Sequence, residues 1–323
     1  MRNILGLAAM LCAAVLAGCS AGDDAAAPGD DAITVGFSQV GAESEWRTAN
    51  TRSVRESLAA PEFDLRFSDA QQKQENQIRA LRSFIAQGVD VIAFSPVVET
   101  GWDTVLREAR AAGIPVVLTD RAVSVDDESL YATFIGSDFV EEGRRAARWV
   151  IGDRKDAEGP VRIVELQGTV GSAPANDRMR GFKEVIDADP RFQIVRSQSG
   201  DFTRARGKEV MEAFLKAEGS DIDVLFAHND DMAIGAIQAI EEAGLKPGED
   251  IRIVSIDGVR GAFEAMKAGK LNATVECNPL LGPQLADLIR DVHAGRDVPR
   301  RVEVEEGVFT REQAEAELPN RKY

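Results

Sequence analysis

Short apolar runs alternate with amphipathic stretches of helical period over most of the 323 residues. The runs cover residues 33–37, 89–94, 115–118, 131–135, 161–166, 192–195, 224–227 and 251–256. Several show little polar alternation, the pattern of parallel strands covered on both faces. Between them, stretches at 47–59, 74–87, 101–112, 140–151, 178–188, 204–217, 232–243 and 261–268 repeat their apolar residues at helical spacing. Strand–helix alternation sustained in this way predicts an α/β fold with parallel sheets. Ala112-Gly113-Ile114-Pro115 and Ala243-Gly244-Leu245-Lys246-Pro247 are matching helix-stop signals, one in each half. The pattern predicts two doubly wound, Rossmann-like lobes facing each other.

The N-terminus departs from this pattern. Met1-Arg2-Asn3 is a short positive segment, residues 4–16 are apolar, and Leu16-Ala17-Gly18-Cys19 has the order of a bacterial lipoprotein cleavage site. The apolar run is too short to span a bilayer as a permanent helix. It predicts a signal peptide over 1–18 and a lipidated Cys19; an ordinary signal cleaved nearby is the alternative. The following SAGDDAAAPGDDA is small and acidic, buries too little to fold, and predicts a flexible tether over 19–32. The protein is expected to be exported, periplasmic or on the cell surface, and held to the membrane through its lipid alone.

Cleavage before Cys19 leaves 305 of the 323 residues, enough for about two domains. It removes Arg2, so 37 basic residues face 54 acidic ones and the net charge is −17. Such a surface repels nucleic acid, whose affinity comes largely from phosphate neutralisation. With Cys12 discarded and Cys19 capped, Cys277 is the one ordinary thiol, and no intrachain disulfide is available. Stability has to come from core burial, which a chain this long supplies.

Polar residues gather where the strands end. Ser38-Gln39, Asp120-Arg121, Asn229-Asp230-Asp231 and Asp257-Gly258 each follow an apolar run. Ligands of open α/β sheets bind outside the carboxyl ends of the strands, so these clusters point to one cleft between two lobes. For a single Asp the competing role is helix capping, and Asp230 and Asp231 suit caps of a helix starting at Met232. Carboxylates, amides and guanidinium groups together fit a neutral polyol, whose hydroxyls both donate and accept. The C–H faces of a sugar ring also call for flat aromatic surface. Only 6% of residues are aromatic, which singles out Trp46 at the first helix start and Phe202 between a strand and a helix; core packing is the alternative for both.

Longer strings carry a family resemblance. Residues 36–41 (GFSQVG), 71–77 (QQKQENQ), 164–171 (VELQGTVG), 197–204 (SQSGDFTR), 227–232 (AHNDDM) and 234–240 (IGAIQAI) resemble the sugar-binding proteins of bacterial ABC importers, and among these the galactofuranose binders. The resemblance runs from about Ile33 to the C-terminus. It implies a ribose-binding-protein-like fold, with lobes at 33–136 plus 278–304 and at 137–277 plus 305–323, joined by a three-stranded hinge near Gly136, Asn278 and Val304. It also implies a sugar site made of Glu43, Trp46, Arg47, Asp120 and Arg121 from the first lobe, and Arg178, Phe202, Asn229 and Asp257 from the second. Arg178 comes from the resemblance alone; its position otherwise reads as a solvated charge at a helix start. Two positions depart from the relatives. Glu45 stands where the galactofuranose binders have glycine, adding bulk and charge beside Trp46, and Cys277 stands where ribose binders have glutamine.

The expected partners are a monosaccharide, galactofuranose or a related aldose, and a membrane permease, with the protein acting as a monomer. A sensory role, presenting the closed form to a chemoreceptor or kinase, is the alternative. Catalysis finds little support. His228 and His293 sit in no metal spacing and near no Ser or Cys nucleophile, and Gly168-Thr169-Val170-Gly171 matches neither phosphate-binding fingerprint. Asp120 and Asp257 form a carboxylate pair of the kind that flanks a glycosidic bond, but the resemblance implies no hydrolysis. No cofactor and no metal are expected. A repressor core of the same fold would need an N-terminal helix-turn-helix, and residues 1–32 offer a signal and a tether instead.

Overall fold

The computed structural model describes residues 31–323. The signal peptide, Cys19 and all but the last two residues of the tether lie outside the described residues.

The strands, in chain order, are β1 (Ile33–Gln39), β2 (Phe63–Asp69), β3 (Val91–Phe94), β4 (Val116–Thr119), β5 (Thr133–Gly136), β6 (Val161–Gln167), β7 (Phe192–Ser199), β8 (Val224–Ala227), β9 (Arg252–Asp257), β10 (Ala273–Glu276), β11 (Arg301–Glu303) and β12 (Val308–Thr310). They form two sheets, with orders β11-β5-β4-β3-β1-β2 and β12-β10-β9-β8-β6-β7. All pairings are parallel except that of β12 with β10. Each sheet is doubly wound: the strand order reverses between β1 and β3 in the first and between β6 and β8 in the second. Ligands of such sheets sit at these reversal points. The central strands β3, β4, β5 and β8 are buried at every position, as their unbroken apolar runs require.

Helix ends follow the local sequence. Ser44 Oγ caps the helix Glu45–Ser57 by accepting from Arg47 N, and Asp138 does the same for Phe139–Asp153 from Glu141 N. Both expected stop signals form, with Gly113 at φ 74° and Gly244 at φ 79°. The helix Asp230–Glu242 corrects one expectation. It begins two residues before Met232, and its N-cap is Asn229, whose Oδ1 accepts from Met232 N, rather than Asp230 or Asp231.

The chain passes between the sheets three times: after β5, between β10 and β11, and between β11 and β12. The two last strands are only three residues long and half-exposed, so they carry almost no apolar signal. The lobes are closed on each other. At one side Trp46 Nε1 donates to Cys277 O at 2.6 Å and Glu45 N to Asp231 Oδ2 at 2.7 Å. At the other, Glu99 N donates to Gly171 O at 2.9 Å and Asn176 Nδ2 to Glu99 Oε2 at 2.5 Å.

Candidate functional site

Between the carboxyl ends of the two sheets lies a small cavity. It is enclosed by Glu43, Ser44, Trp46, Arg47, Asp120 and Arg121 from the first lobe, and by Pro174, Arg178, Phe202, Asn229, Asp257 and Cys277 from the second. All nine site residues expected from the sequence line it. Ser44, Pro174 and Cys277 join them. Pro174 sits in the first turn of Ala173–Ile186, where a proline marks the helix start but carries no signal of a cleft.

The first lobe contributes a charged lattice. Arg47 Nη2 lies 2.7 Å from Asp120 Oδ2 and its Nε 3.0 Å from Glu43 Oε1. Its Nη1 donates to Gln39 Oε1 at 3.2 Å, so Gln39, at the end of β1, holds the guanidinium from behind. Asp120 also accepts from Ser95 Oγ at 2.9 Å. Burial works against the Arg47 charge, but Asp120 and Glu43 outweigh it and hold its pKa above the ordinary arginine value. Arg121 is the opposite case. Burial, with Arg47 beside it, pulls it down to about 10. Its Nε and Glu43 Oε2 are both buried without a protein hydrogen-bond partner. Buried polar groups in native proteins are almost always paired, so a donor and an acceptor left over at one cavity wall fit a hydroxyl.

The second lobe supplies the remaining walls. Arg178, 3% exposed, donates Nη1 to His228 O at 2.6 Å, pairs through Nε with Glu142 Oε2 at 2.7 Å, and approaches Asp257 Oδ1 at 3.8 Å. Its expected solvated alternative is thereby excluded. Burial pushes the Asp257 carboxyl well above the usual carboxylate range, against the pull of Arg178. Asn229 Nδ2 donates to Phe202 O at 3.1 Å, tying two cavity residues together while its Oδ1 caps a helix. The Phe202 ring faces Arg121 across the cleft, with the guanidinium carbon 5.3 Å from the ring centre.

Asp120, Phe202 and Asp257 have φ values of 62°, 61° and 132°. Such conformations are uncommon for residues with side chains and gather at functional sites. Here all three aim a cavity-lining side chain. Asp230 holds the most strained of these turns: it accepts from Gly258 N at 2.8 Å, Val259 N at 2.9 Å and Thr274 Oγ1 at 2.9 Å, and from Ser255 Oγ. Burial raises its pKa to about 7.

Three further readings meet the geometry. Glu45 does not line the cavity. Its side chain lies on the outer side, 3.7 Å from Arg204, so its charge does not face the ligand space. Trp102 is fully buried, tilted against Phe94 at 5.0 Å between ring centres. His228 is buried at the end of β8, its Nε2 3.0 Å from Glu165 Oε1.

Gly168 makes room for Phe202. A β-carbon there would stand 1.9 Å from the ring's Cζ. Gly168→Ala should therefore push the ring towards the cavity and weaken ligand binding about five- to 150-fold, the equivalent of the roughly 1–3 kcal/mol that overpacking costs. Calorimetric titration checks this; unchanged affinity would show that the ring does not form the wall.

A sequence profile described as "Periplasmic binding protein domain" matches residues 35–297. The galactofuranose-binding protein YtfQ of Escherichia coli (strain K12) is 49% identical over 294 residues, 90% of this chain and 92% of that one. Among solved structures, a protein from Mycobacterium smegmatis in complex with β-D-fucofuranose is 58% identical with a TM-score of 0.88, covering 90% of this chain and 96% of the other. The binding protein of the arabinose ABC transporter from Shewanella sp. ANA-3, bound to α- and β-L-arabinofuranose, is 54% identical with a TM-score of 0.86, covering 90% and 95%.

Proposed function

The chain belongs to the periplasmic binding protein domain family, and from that premise we propose that it is a lipid-anchored solute-binding protein of an ABC importer that captures one furanose sugar, galactofuranose or a related aldose, between its lobes. It works by binding and closure, not by catalysis. The observation that carries the reading is the interlobe cavity, two of whose lining residues keep a buried polar atom without a protein partner, Glu43 Oε2 and Arg121 Nε. Carboxylates at 43, 120 and 257 accept from hydroxyls, arginines at 47, 121 and 178 donate to them, and Trp46 and Phe202 offer faces to the ring carbons. The relatives with fucofuranose and arabinofuranose bound support the ring form.

In this reading residues 33–136 plus 278–304 and residues 137–277 plus 305–323 move as two bodies about the three crossings. The sugar's hydrogen bonds to both offset the cost of closing them. The closed monomer, tethered through Cys19 and residues 20–32, then presents both lobe surfaces to the permease.

A thermal-shift panel of pentoses and hexoses tests the substrate class. A ligand that binds only the folded state stabilises it by about 2.7 kcal/mol at 100 times its Kd, which for a chain of this size is a rise of roughly 4 °C. Such a rise is expected with one of D-galactose, D-fucose and L-arabinose. No rise with any sugar would refute the reading.

A further inference from the structure

One loop of the first lobe grips the second lobe without lining the cavity. Residues 95–101 follow β3 and are fastened at several points. Gln77, on the helix Gln74–Gln87, donates Nε2 to Ser95 O at 2.7 Å and accepts from Val97 N at 2.8 Å. Trp102 Nε1 donates to Val98 O at 2.6 Å, and Arg121 Nη1, from the cavity wall, to Val97 O at 3.2 Å. Glu99 O accepts from Ser124 N at 2.7 Å. The loop therefore holds Glu99 in one place.

The second lobe meets it with residues 171–176, which lead from β6 into the first turn of the helix Ala173–Ile186. Glu99 N donates to Gly171 O at 2.9 Å, and Glu99 Oε2 accepts from Asn176 Nδ2 at 2.5 Å. Glu99 and Asn176 are both half-buried. The two loops extend from strands of different sheets, so both bonds join the lobes and break when the lobes part. The helix that Asn176 opens also carries Pro174 and Arg178 to the cavity, whereas neither Glu99 nor Asn176 lines it.

We propose that Glu99 and Asn176 form a latch that sets how long the sugar stays bound without touching it. The proposal rests on the sugar-binding reading above and adds a positioning pair to it. The balance of open and closed forms is shifted by every contact that only one of them makes. The latch is such a contact, and it needs no group on the sugar. It therefore strengthens the binding of every ligand by the same factor, while the cavity residues decide which sugar is preferred. It also ties the helix of Arg178 to the loop that Arg121 braces, which fixes the spacing of these two cavity-lining arginines.

Asn176→Ala removes the side-chain donor of the latch. Affinity should fall roughly three- to tenfold, the loss of one ordinary net hydrogen bond, and by the same factor for each sugar that binds. Sugar enters before the latch forms and leaves after it breaks, so the change belongs to dissociation. In stopped-flow fluorescence the dissociation rate should rise by that whole factor and the association rate stay within about twofold of wild type. Asn176→Asp sets a second carboxylate against Glu99 and should lose more. Adding Glu99→Gln to it restores the bond with donor and acceptor exchanged, and should return dissociation to near the wild-type rate. A loss confined to one sugar or to association, or no recovery in the exchanged pair, would overturn the proposal.

Cross-linking separates the latch from the sugar reading. A β-carbon on Gly171 would stand 3.9 Å from that of Val98, inside the ~3.5–4.5 Å range of natural disulfides. Gly171 has φ 78°, uncommon for a residue with a side chain, so melting of the reduced double variant first confirms its fold. The processed protein with Val98→Cys and Gly171→Cys should then form this bond under mild oxidant, and several-fold more slowly when Asn176→Ala is added. Cys277 is buried and takes no part. No cross-link in a variant that melts like wild type, or a rate that Asn176→Ala leaves unchanged, would overturn the latch even if sugar binds normally. Absence of binding by every sugar would instead sink the sugar reading and leave the cross-linking rate to decide the latch.

Discussion

Asp257→Ala is expected to weaken sugar binding roughly 10- to 150-fold, the equivalent of the about 1.5–3 kcal/mol that a hydrogen bond involving a charged group contributes. Asp257 is the second lobe's carboxylate on the cavity wall, 4% exposed and 3.8 Å from Arg178. Removing it takes an acceptor from the sugar and leaves Arg178 with Glu142 as its remaining close anion. The sugar-free protein should melt no lower than wild type. Burial disfavours the Asp257 charge, so the group gives little to the fold and its removal relieves a cost kept for binding. Alanine keeps a β-carbon at φ 132°, so backbone strain is not released and does not confuse the comparison. Titration calorimetry with the sugar of largest thermal shift, paired with melting of the free protein, measures both sides. Wild-type affinity in the variant would remove Asp257 from the site.

Trp46→Ala should have the next largest effect, through closure as much as through contact. Trp46 begins the first lobe's first helix, yet it packs into the apolar cluster of the second lobe, and its Nε1 bonds to Cys277 O at 2.6 Å. Truncating a buried tryptophan costs about 3–5 kcal/mol. Part of that contact exists only with the lobes shut, so affinity should fall on the order of 100-fold or more, with a smaller loss of stability in the free protein. Trp46 should also carry the sugar-dependent fluorescence change. Trp102 is sealed in the first lobe's own core, and Trp149 lies on the second lobe near Arg252, neither against the cavity. A variant that keeps the full fluorescence response would show that the signal, and the closure it reports, arise elsewhere.

Much of this was legible in the sequence because parallel strands buried on both faces leave unbroken apolar runs. Those at Val91–Phe94 and Val224–Ala227 stand out for that reason. The edge strands β2, β11 and β12 did not. β2 is an edge strand with only its first residue buried, and β11 reads Arg-Val-Glu; on such edges the chain has little apolar surface to hide and so shows little period. The helix Gly282–His293, which opens on Gly-Pro, was missed although it buries Leu285, Ala286, Leu288 and Ile289.

Strand-end position found Asp120, Arg121, Asn229 and Asp257, since the fold class itself dictates where ligands sit. Arg178 was different. Nothing local marks it as buried: its environment is made by Glu142, Phe139 and His228, all distant in sequence, and only a family resemblance pointed to it. Glu45 shows the converse limit. Its adjacency to Trp46 suggested a role at the sugar, but successive helical residues point in different directions, and Glu45 turns outward to Arg204. The cluster of Glu142, Cys277 and Glu306 was invisible for a similar reason, because residues far apart in sequence meet there only in the folded chain.

The central claim is that one furanose sits in the enclosed cavity and satisfies its unpaired wall. A crystal structure of the processed protein with the sugar giving the largest thermal shift tests it most directly. The account requires density for a single furanose ring between Trp46 and Phe202, with hydroxyls within hydrogen-bond distance of Glu43 Oε2 and Arg121 Nε. A sugar bound outside this cavity, or one that leaves those two atoms unpaired, would contradict it.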